Sequence, residues 1–400
     1  LMITVYYVAI IGWSLYYAYS AIAGLAWGAD PQSFFLVEYL QLSPGPFEPN
    51  GIVLKSFIPL ILAWAIIYAV LRGGVQGGIE KANKVLMPIL FAMVILIIIR
   101  GLTLPGAMAG LDYMFKPDLS KIGDPGTWIA AYGQVFFSLS VAFAIMITYS
   151  SYLPKKSDIN NNAFLASFAD CGFSLLAGIS VFAILGYMAF TQGKEVAEVA
   201  GSGGVGLAFW VFPEAINALP GYNNLFGAIF FLVLAFAGFT SAISINEVVI
   251  SAVSEKFMWS RKRTVTIVIV FAATVSILFT TRGGLHILDL VDHYVNDYNI
   301  VLGGLIEIIL LGWFYKLVTL KEHANSVSDF KIGIWWDISL KYLTPIMLII
   351  VAILKFKTDL TDPYSGYPQT AQLVFGWSVP ILTIIFGIIL SHINKNKQKQ

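Results

Sequence analysis

Hydrophobic positions along this chain gather into long runs separated by short polar stretches. Ten runs stand out, at 2–28, 52–71, 84–104, 128–151, 163–190, 223–253, 265–281, 298–315, 340–356 and 373–392. Most exceed the ~17 residues a helix needs to cross a hydrocarbon layer about 30 Å thick. The plainest are TVTIVIVFAATVSILFT at 264–280 and the run from Leu86 to Ile99. The pattern predicts an all-α polytopic membrane protein of ten helices. The 128–151 segment is the least uniform, with Gln134, Ser138 and Ser140 near its middle.

Composition agrees. Of 400 residues, 58% are apolar and 12% charged, whereas a soluble domain carries about 25% charge. The net charge of +1 gives no support to nucleic-acid binding, which needs a basic patch or stripe. Cys171 is the only cysteine, so no intramolecular disulfide forms, and its apolar surroundings predict a buried thiol. The four histidines, at 286, 293, 323 and 392, lack metal-ligand spacing. No acid, base or metal cluster recommends a membrane enzyme, and no ring-forming filter recommends a channel. The first residues carry no charged n-region and no cleavage site, so they are not a signal peptide. They read as a chain that starts inside or just before a membrane helix, with something upstream missing.

Charge placement predicts the topology. With the first segment running outward, most basic residues fall on the inner side. Among them are Arg72, Lys81, Lys84, Lys155, Lys156, Lys256, Arg261, Lys262 and Arg263, with Lys395, Lys397 and Lys399 in a lipid-facing tail. Both ends are then inner. The outer stretch 191–222 reads as short amphipathic pieces broken by Pro213 and Pro220. The glycines at 73, 74, 77 and 78 read as a turn into a helix that begins near Ile79.

The informative residues are those that lipid should reject. Unwinding of the 128–151 helix near Ser138–Ala142 would offer backbone carbonyls to a cation and helix ends to a charged ligand. A continuous helix whose serines bond back to its own carbonyls is the alternative. Ala237, Thr240, Ser241 and Ser244 form one small or polar face. Its oxygens suit a small hard cation, and a helix-packing face is the alternative. Asp170 and Ser174 share a face at i, i+4. Tyr7 is a potential donor to a carboxylate, whereas Tyr16, Tyr17 and Tyr19 suit an aromatic belt. Asp289 and Asp292 lie before the 298–315 segment, and Glu307 lies deep within it.

The stretches GGIEKANKVLMPILF, TLPGAMAGLDYMFKPD, WIAAYGQVFFSLSVAFAIMITYSSY, GLAFWVFPEAI and FAGFTSAISI together resemble the neurotransmitter:sodium symporter family over nearly the whole chain. The resemblance implies sodium-coupled carriage of amino acids by two inverted five-helix repeats, with the segments here matching the third to twelfth helices. Residues 1–400 would then be one membrane transport domain lacking its first two helices: 1–104 the remainder of the first repeat, 128–315 the second, and 340–392 two accessory helices. A non-transporting fragment is the alternative reading. The implied partners are an amino-acid substrate, the lipid bilayer of the cell membrane and a second copy of the chain as a homodimer.

Residue by residue, the resemblance implies that Tyr7 donates to the substrate carboxylate, with Ile3 and Ile10 at pocket positions. Phe137, Ser138, Ser140 and Phe143 match the unwound helix, Phe137 as an aromatic lid and Ser138 as a ligand of the first sodium. Ala237, Thr240 and Ser241 match the second sodium site, with Ser244 and Ile245 near the pocket. Asp292 matches the acidic half of an outer gate. These side chains favour an apolar or aromatic amino acid. Three positions depart from the family. Ala142 and Ala144 stand where glycines are frequent. Asp170 stands where many members place an asparagine on the first sodium, amid Gln134, Ser138 and Ser174 at chloride-associated positions. The expectation is that Asp170 takes the place of chloride, so that sodium is required and chloride is not.

Overall fold

The computed structural model describes residues 1–199 and 203–393, so Lys395, Lys397 and Lys399 of the tail lie outside the described residues. Along the chain run α1 (Met2–Ile22), α2 (Leu54–Arg72), α3 (Lys81–Leu102), α4 (Ala107–Phe115), α5 (Pro125–Ser138), α6 (Ile145–Ser150) and α7 (Ile159–Gln192). Then come α8 (Phe212–Ala218), α9 (Asn223–Phe257), α10 (Arg261–Ser276), α11 (Gly284–Tyr294), α12 (Val301–Ile309), α13 (Thr344–Thr361) and α14 (Ser378–His392). No strand is present among the described residues, beyond an isolated bridge between Ile52 and Thr281. Nine helices among them are long and apolar enough to cross a membrane. The tenth expected segment, 128–151, is present as two pieces, α5 and α6.

Several boundaries differ from expectation for physical reasons. The helical run assigned to 298–315 starts at Gly284 and reaches Phe314, so Asp289 and Asp292 sit within a helix and not in a loop before it. Their charge hid that helix from a hydropathy reading, because the helix keeps polar partners inside the fold. It also contains a π-helical turn at Val295–Ile300. Pro213 does not break the outer stretch. It lies at the start of α8, directly after a π-helical turn at Leu207–Val211, a local widening that accommodates its missing N–H. The glycine turn is shorter than expected, because a π-helical turn at Val75–Glu80 already takes in Gly77 and Gly78. Gly74 has φ 81°, and a Cβ on Gly78 would lie 1.9 Å from the Val70 carbonyl oxygen. The chain can double back there only without a side chain, and α3 follows at Lys81.

The chain divides into two compact units, residues 1–117 with 173–288, and residues 118–172 with 289–400. In the first, α1 packs against both α2 and α9. Small residues permit this approach. Gly12 lies against the Leu60 backbone, and Gly238 of α9 lies against the Ile11 side chain. Trp13 donates from Nε1 to Ser56 Oγ at 3.0 Å, and Ser276 Oγ donates to the Val5 carbonyl at 2.7 Å. Tyr17 corrects its aromatic-belt reading. It is fully buried, with ring centroids 5.6 Å from Trp27, 5.2 Å from Phe209 and 4.9 Å from Phe231. Tyr19, 67% exposed, fits the belt reading. The motif TLPGAMAG is explained by packing: Gly106 and Gly110 meet Phe190, Gly186 and the Phe182 carbonyl of α7.

In the second unit, α12 packs along α13. Gly304 lies against the Phe136 ring, and Gly376 against the Tyr294 ring. The start of α7 is anchored by Asn160, whose buried side chain donates to Asn325 Oδ1 at 3.1 Å and to the Phe330 carbonyl at 2.8 Å.

Candidate functional site

In the first unit the site is a partly open stripe on two packed helices. Ile3, Tyr7 and Ile10 remain partly open, while Thr4, Val5, Tyr6, Val8 and Ala9 are buried. They stand at i, i+4 and i+7, one face of α1. The Tyr7 side chain faces Ser241 of α9, which brings the expected carboxylate donor beside the expected second sodium position. Ala237, Thr240 and Ser244 are half-buried and Ser241 is exposed, whereas Ile245 is buried in the packing. Thr240 Oγ1 donates to the Ala237 carbonyl at 2.8 Å, and Ser244 Oγ to the Thr240 carbonyl at 3.0 Å. Hydroxyls and a carbonyl therefore converge on this face. They are oxygen donors of the kind a hard cation takes.

In the second unit the site is the break between α5 and α6. Helix α5 begins at Asp124, whose carboxylate accepts from the Gly126 N–H at 3.0 Å, with Pro125 in the first turn. It ends after Ser138. There the regular ladder gives way to Ser140 N–H on the Phe137 carbonyl and Val141 N–H on the Phe136 carbonyl. It resumes with Thr148 N–H on the Ala144 carbonyl. Ser140, Ala142 and Ala144 have φ of 52°, 67° and 57°. These are left-handed conformations that cost a non-glycine residue about 1–2 kcal/mol each. The alanines therefore do not prevent the break. They hold it under strain, a common mark of functional backbone.

The Ser138 hydroxyl donates to Asp170 Oδ2 of α7 over 2.6 Å. Phe137 and Phe143 meet edge to face across the break, centroids 6.0 Å apart. Asp170 is half-buried, while Gln134 and Ser174 are exposed. Cys171 is exposed rather than buried, because it points to the open side of α7. A cavity of about 590 Å³ is lined by Gln134, Phe137 and Asp292, together with Asn296, Asp297 and Lys355. That volume lies in the range of small-molecule sites. Asp292 Oδ1 accepts from Asn296 Nδ2 at 2.9 Å. Sequence reasoning missed Asp297 and Lys355. The available signal was a set of charges at helical spacing inside apolar segments: His293 with Asp297, and Lys355 with Asp359.

The sequence profile of the Sodium:neurotransmitter symporter family matches residues 28–398. A sodium-dependent transporter of Methanocaldococcus jannaschii is 40% identical over 97% of this chain and 78% of its own length. The sodium- and chloride-dependent glycine transporter 2 of Xenopus laevis is 29% identical over 89% of the chain and 45% of its own length. The sodium-dependent nutrient amino acid transporter 1 of Drosophila melanogaster is 29% identical over 85% and 53%. The chain thus spans about half the length of these animal relatives. It belongs to the sodium:neurotransmitter symporter family, a family of multi-pass membrane transporters and not of enzymes.

Proposed function

We propose that this chain forms the core of a sodium-coupled symporter that carries an amino acid across the cell membrane by alternating access. The observation that supports this best is the broken membrane helix, strained at Ser140, Ala142 and Ala144, with Ser138 bonded to a carboxylate. Broken helices bring carbonyls and helix ends to ions and charged ligands inside a membrane. The names of the relatives, as sodium-dependent amino acid and glycine transporters, agree with the substrate class.

In this reading Tyr7 donates to the substrate carboxylate with Ile3 and Ile10 at pocket positions of the first unit, and in the second unit Phe137 acts as an aromatic lid and Phe143 as a pocket wall suited to an apolar or aromatic side chain. Ala237, Thr240 and Ser241 take one sodium as a co-transported ion, and Ser138 with Asp170 takes another. Sodium would replace the internal bond from Ser138 to Asp170, so the carboxylate meets the cation directly. Asp170 supplies a fixed negative charge there, and chloride is not needed. Sodium drives the cycle only insofar as it binds one conformational state better than the other. The two inverted repeats, 1–104 and 128–315, and the accessory helices 340–392 remain the proposed organisation, with a homodimer as the assembly.

The test is uptake of a radiolabelled amino-acid panel into proteoliposomes under an inward sodium gradient. It is run on residues 1–400 and on the same chain with any upstream coding sequence restored. Sodium-driven accumulation in either preparation supports the reading. Accumulation in the restored protein alone would assign residues 1–400 as a part that does not transport by itself. No accumulation in either, across the panel, contradicts the substrate class.

A further inference from the structure

His293 of α11 sits between two carboxylates, outside the residues assigned to substrate and sodium. Its Nε2 lies 2.8 Å from Asp359 Oδ2 of α13, and its Nδ1 lies 3.2 Å from Asp297 Oδ2. The imidazole side chain is 9% exposed and the Asp359 side chain 4%. Tyr364 stacks on the ring at a centroid distance of 3.7 Å. A carboxylate oxygen only accepts, so satisfying both contacts requires a proton on each ring nitrogen. A neutral tautomer turns a lone pair toward one carboxylate.

Charge counting reaches the same point. Lys355 Nζ also lies on Asp297 Oδ2, at 3.0 Å, and Tyr298 Oη donates to Asp359 Oδ2 at 2.7 Å. Two carboxylates and one ammonium leave the cluster at −1 with a neutral imidazole and at zero with an imidazolium. The other ionisable groups near the ring do not change the count toward neutrality. On its own element these are Asp289, which accepts from Tyr364 Oη at 3.0 Å, with Asp292 and Tyr294. From the segment after α13 they are Tyr364 and Tyr367, both of which face Asp289.

We propose that His293 is a proton-binding site whose imidazolium form pins the helical run through α11 and Val295–Ile300 to α13. The same proton sets the charge beside the cavity that Asp297 and Lys355 line with Gln134, Phe137 and Asp292. Histidine is the side chain suited to such a switch near neutral pH. When the proton leaves, Asp297 and Asp359 face each other's charge across a neutral ring. The link then loosens, and the cavity wall becomes more negative. The sign is fixed by the geometry: the clamp is present at low pH and is lost as pH rises.

The test uses the full chain in detergent between pH 6 and 8. Amide hydrogen exchange is followed in peptides covering 290–300 and 353–362, divided by the intrinsic chemical rate at each pH. Protection there should fall about tenfold as pH rises, with little change in α1 or α9. His293→Gln, whose amide takes up no proton in this range, should make protection independent of pH. Asp359→Asn should shrink the pH step. Unchanged protection in the wild-type chain between pH 6 and 8 overturns the proposal even if neither variant folds. A step of undiminished size in His293→Gln overturns it as well. Sodium-dependent amino-acid binding is a separate readout, so failure of the proposed transport function leaves this result interpretable.

Discussion

The hydroxyl of Ser138 and the carboxylate of Asp170 are joined by a 2.6 Å hydrogen bond, at the point where α5 ends and the membrane helix breaks. A half-buried carboxylate in a membrane segment requires a partner. Here the partner is a residue at the edge of the unwound stretch. The bond ties the break in one helix to α7, so an ion that takes this carboxylate also acts on the break.

Asp170→Asn should therefore change the ion requirement of the protein. The wild-type protein should bind amino acid equally well in sodium chloride and sodium gluconate. The variant should bind well only with chloride, its apparent sodium affinity falling about tenfold in gluconate, equivalent to ~1.4 kcal/mol. Equilibrium binding in the two salts checks this. Equal dependence on chloride in both proteins would remove Asp170 from the charge-balancing role.

The left-handed residues make a second prediction. Ala142→Gly and Ala144→Gly should each relieve strain of about 1 kcal/mol in the broken conformation. Each should raise the thermal midpoint in detergent by a few degrees. Ala142→Val should lower it, since a β-branched residue tolerates φ 67° worse than alanine does. A lower midpoint for both glycine variants would mean that the break is not strained.

Close packing of α4 on α7 makes a third. A Cβ on Gly110 would lie 1.7 Å from the Phe182 carbonyl oxygen, and backbone on both sides leaves little room to yield. Gly110→Ala should cost about 3 kcal/mol, at the upper end of overpacking penalties. Gly123→Ala, whose Cβ meets nothing within 4 Å, should be nearly neutral. Fluorescence-detected size-exclusion after graded heating separates the two.

A fourth concerns the pair of Arg261 and Glu247. The guanidinium donates twice to the carboxylate, at 2.7 Å on each side, and once to the Leu71 carbonyl at 3.2 Å. The Glu247 side chain is 0% exposed and Arg261 31%. Arg261→Ala should cost roughly 3 kcal/mol, because it strands a buried carboxylate, whereas replacing both residues with apolar ones of like volume should cost much less. A double-mutant cycle on thermal stability checks this.

Much of this was legible in the sequence. Nine of the ten crossings follow from apolar length alone, and Ser138 and Ser140 mark the place of the α5–α6 break as one of two readings they allow. Periodicity could not decide between a broken and a continuous helix, since no glycine marks the place and the positive φ falls on serine and alanine. The start at Gly284 was hidden because Asp289, Asp292 and His293 depress hydropathy while remaining paired inside the fold. Tyr17 was misread because nothing local to 16–19 reveals that Trp27, Phe35, Phe209 and Phe231 gather around it. The charged cluster of His293, Asp297, Lys355 and Asp359 depends on Val295–Ile300 and α12 packing along α13, which only the tertiary structure shows.

The most direct measurement is equilibrium binding of radiolabelled leucine, phenylalanine and glycine to the purified protein, with upstream coding sequence restored where it exists, in sodium and in choline. The account predicts saturable binding of an apolar or aromatic amino acid in sodium only, weakened about tenfold by Tyr7→Phe and by Ser138→Ala. Binding that is indifferent to sodium, or untouched by both substitutions, would contradict it.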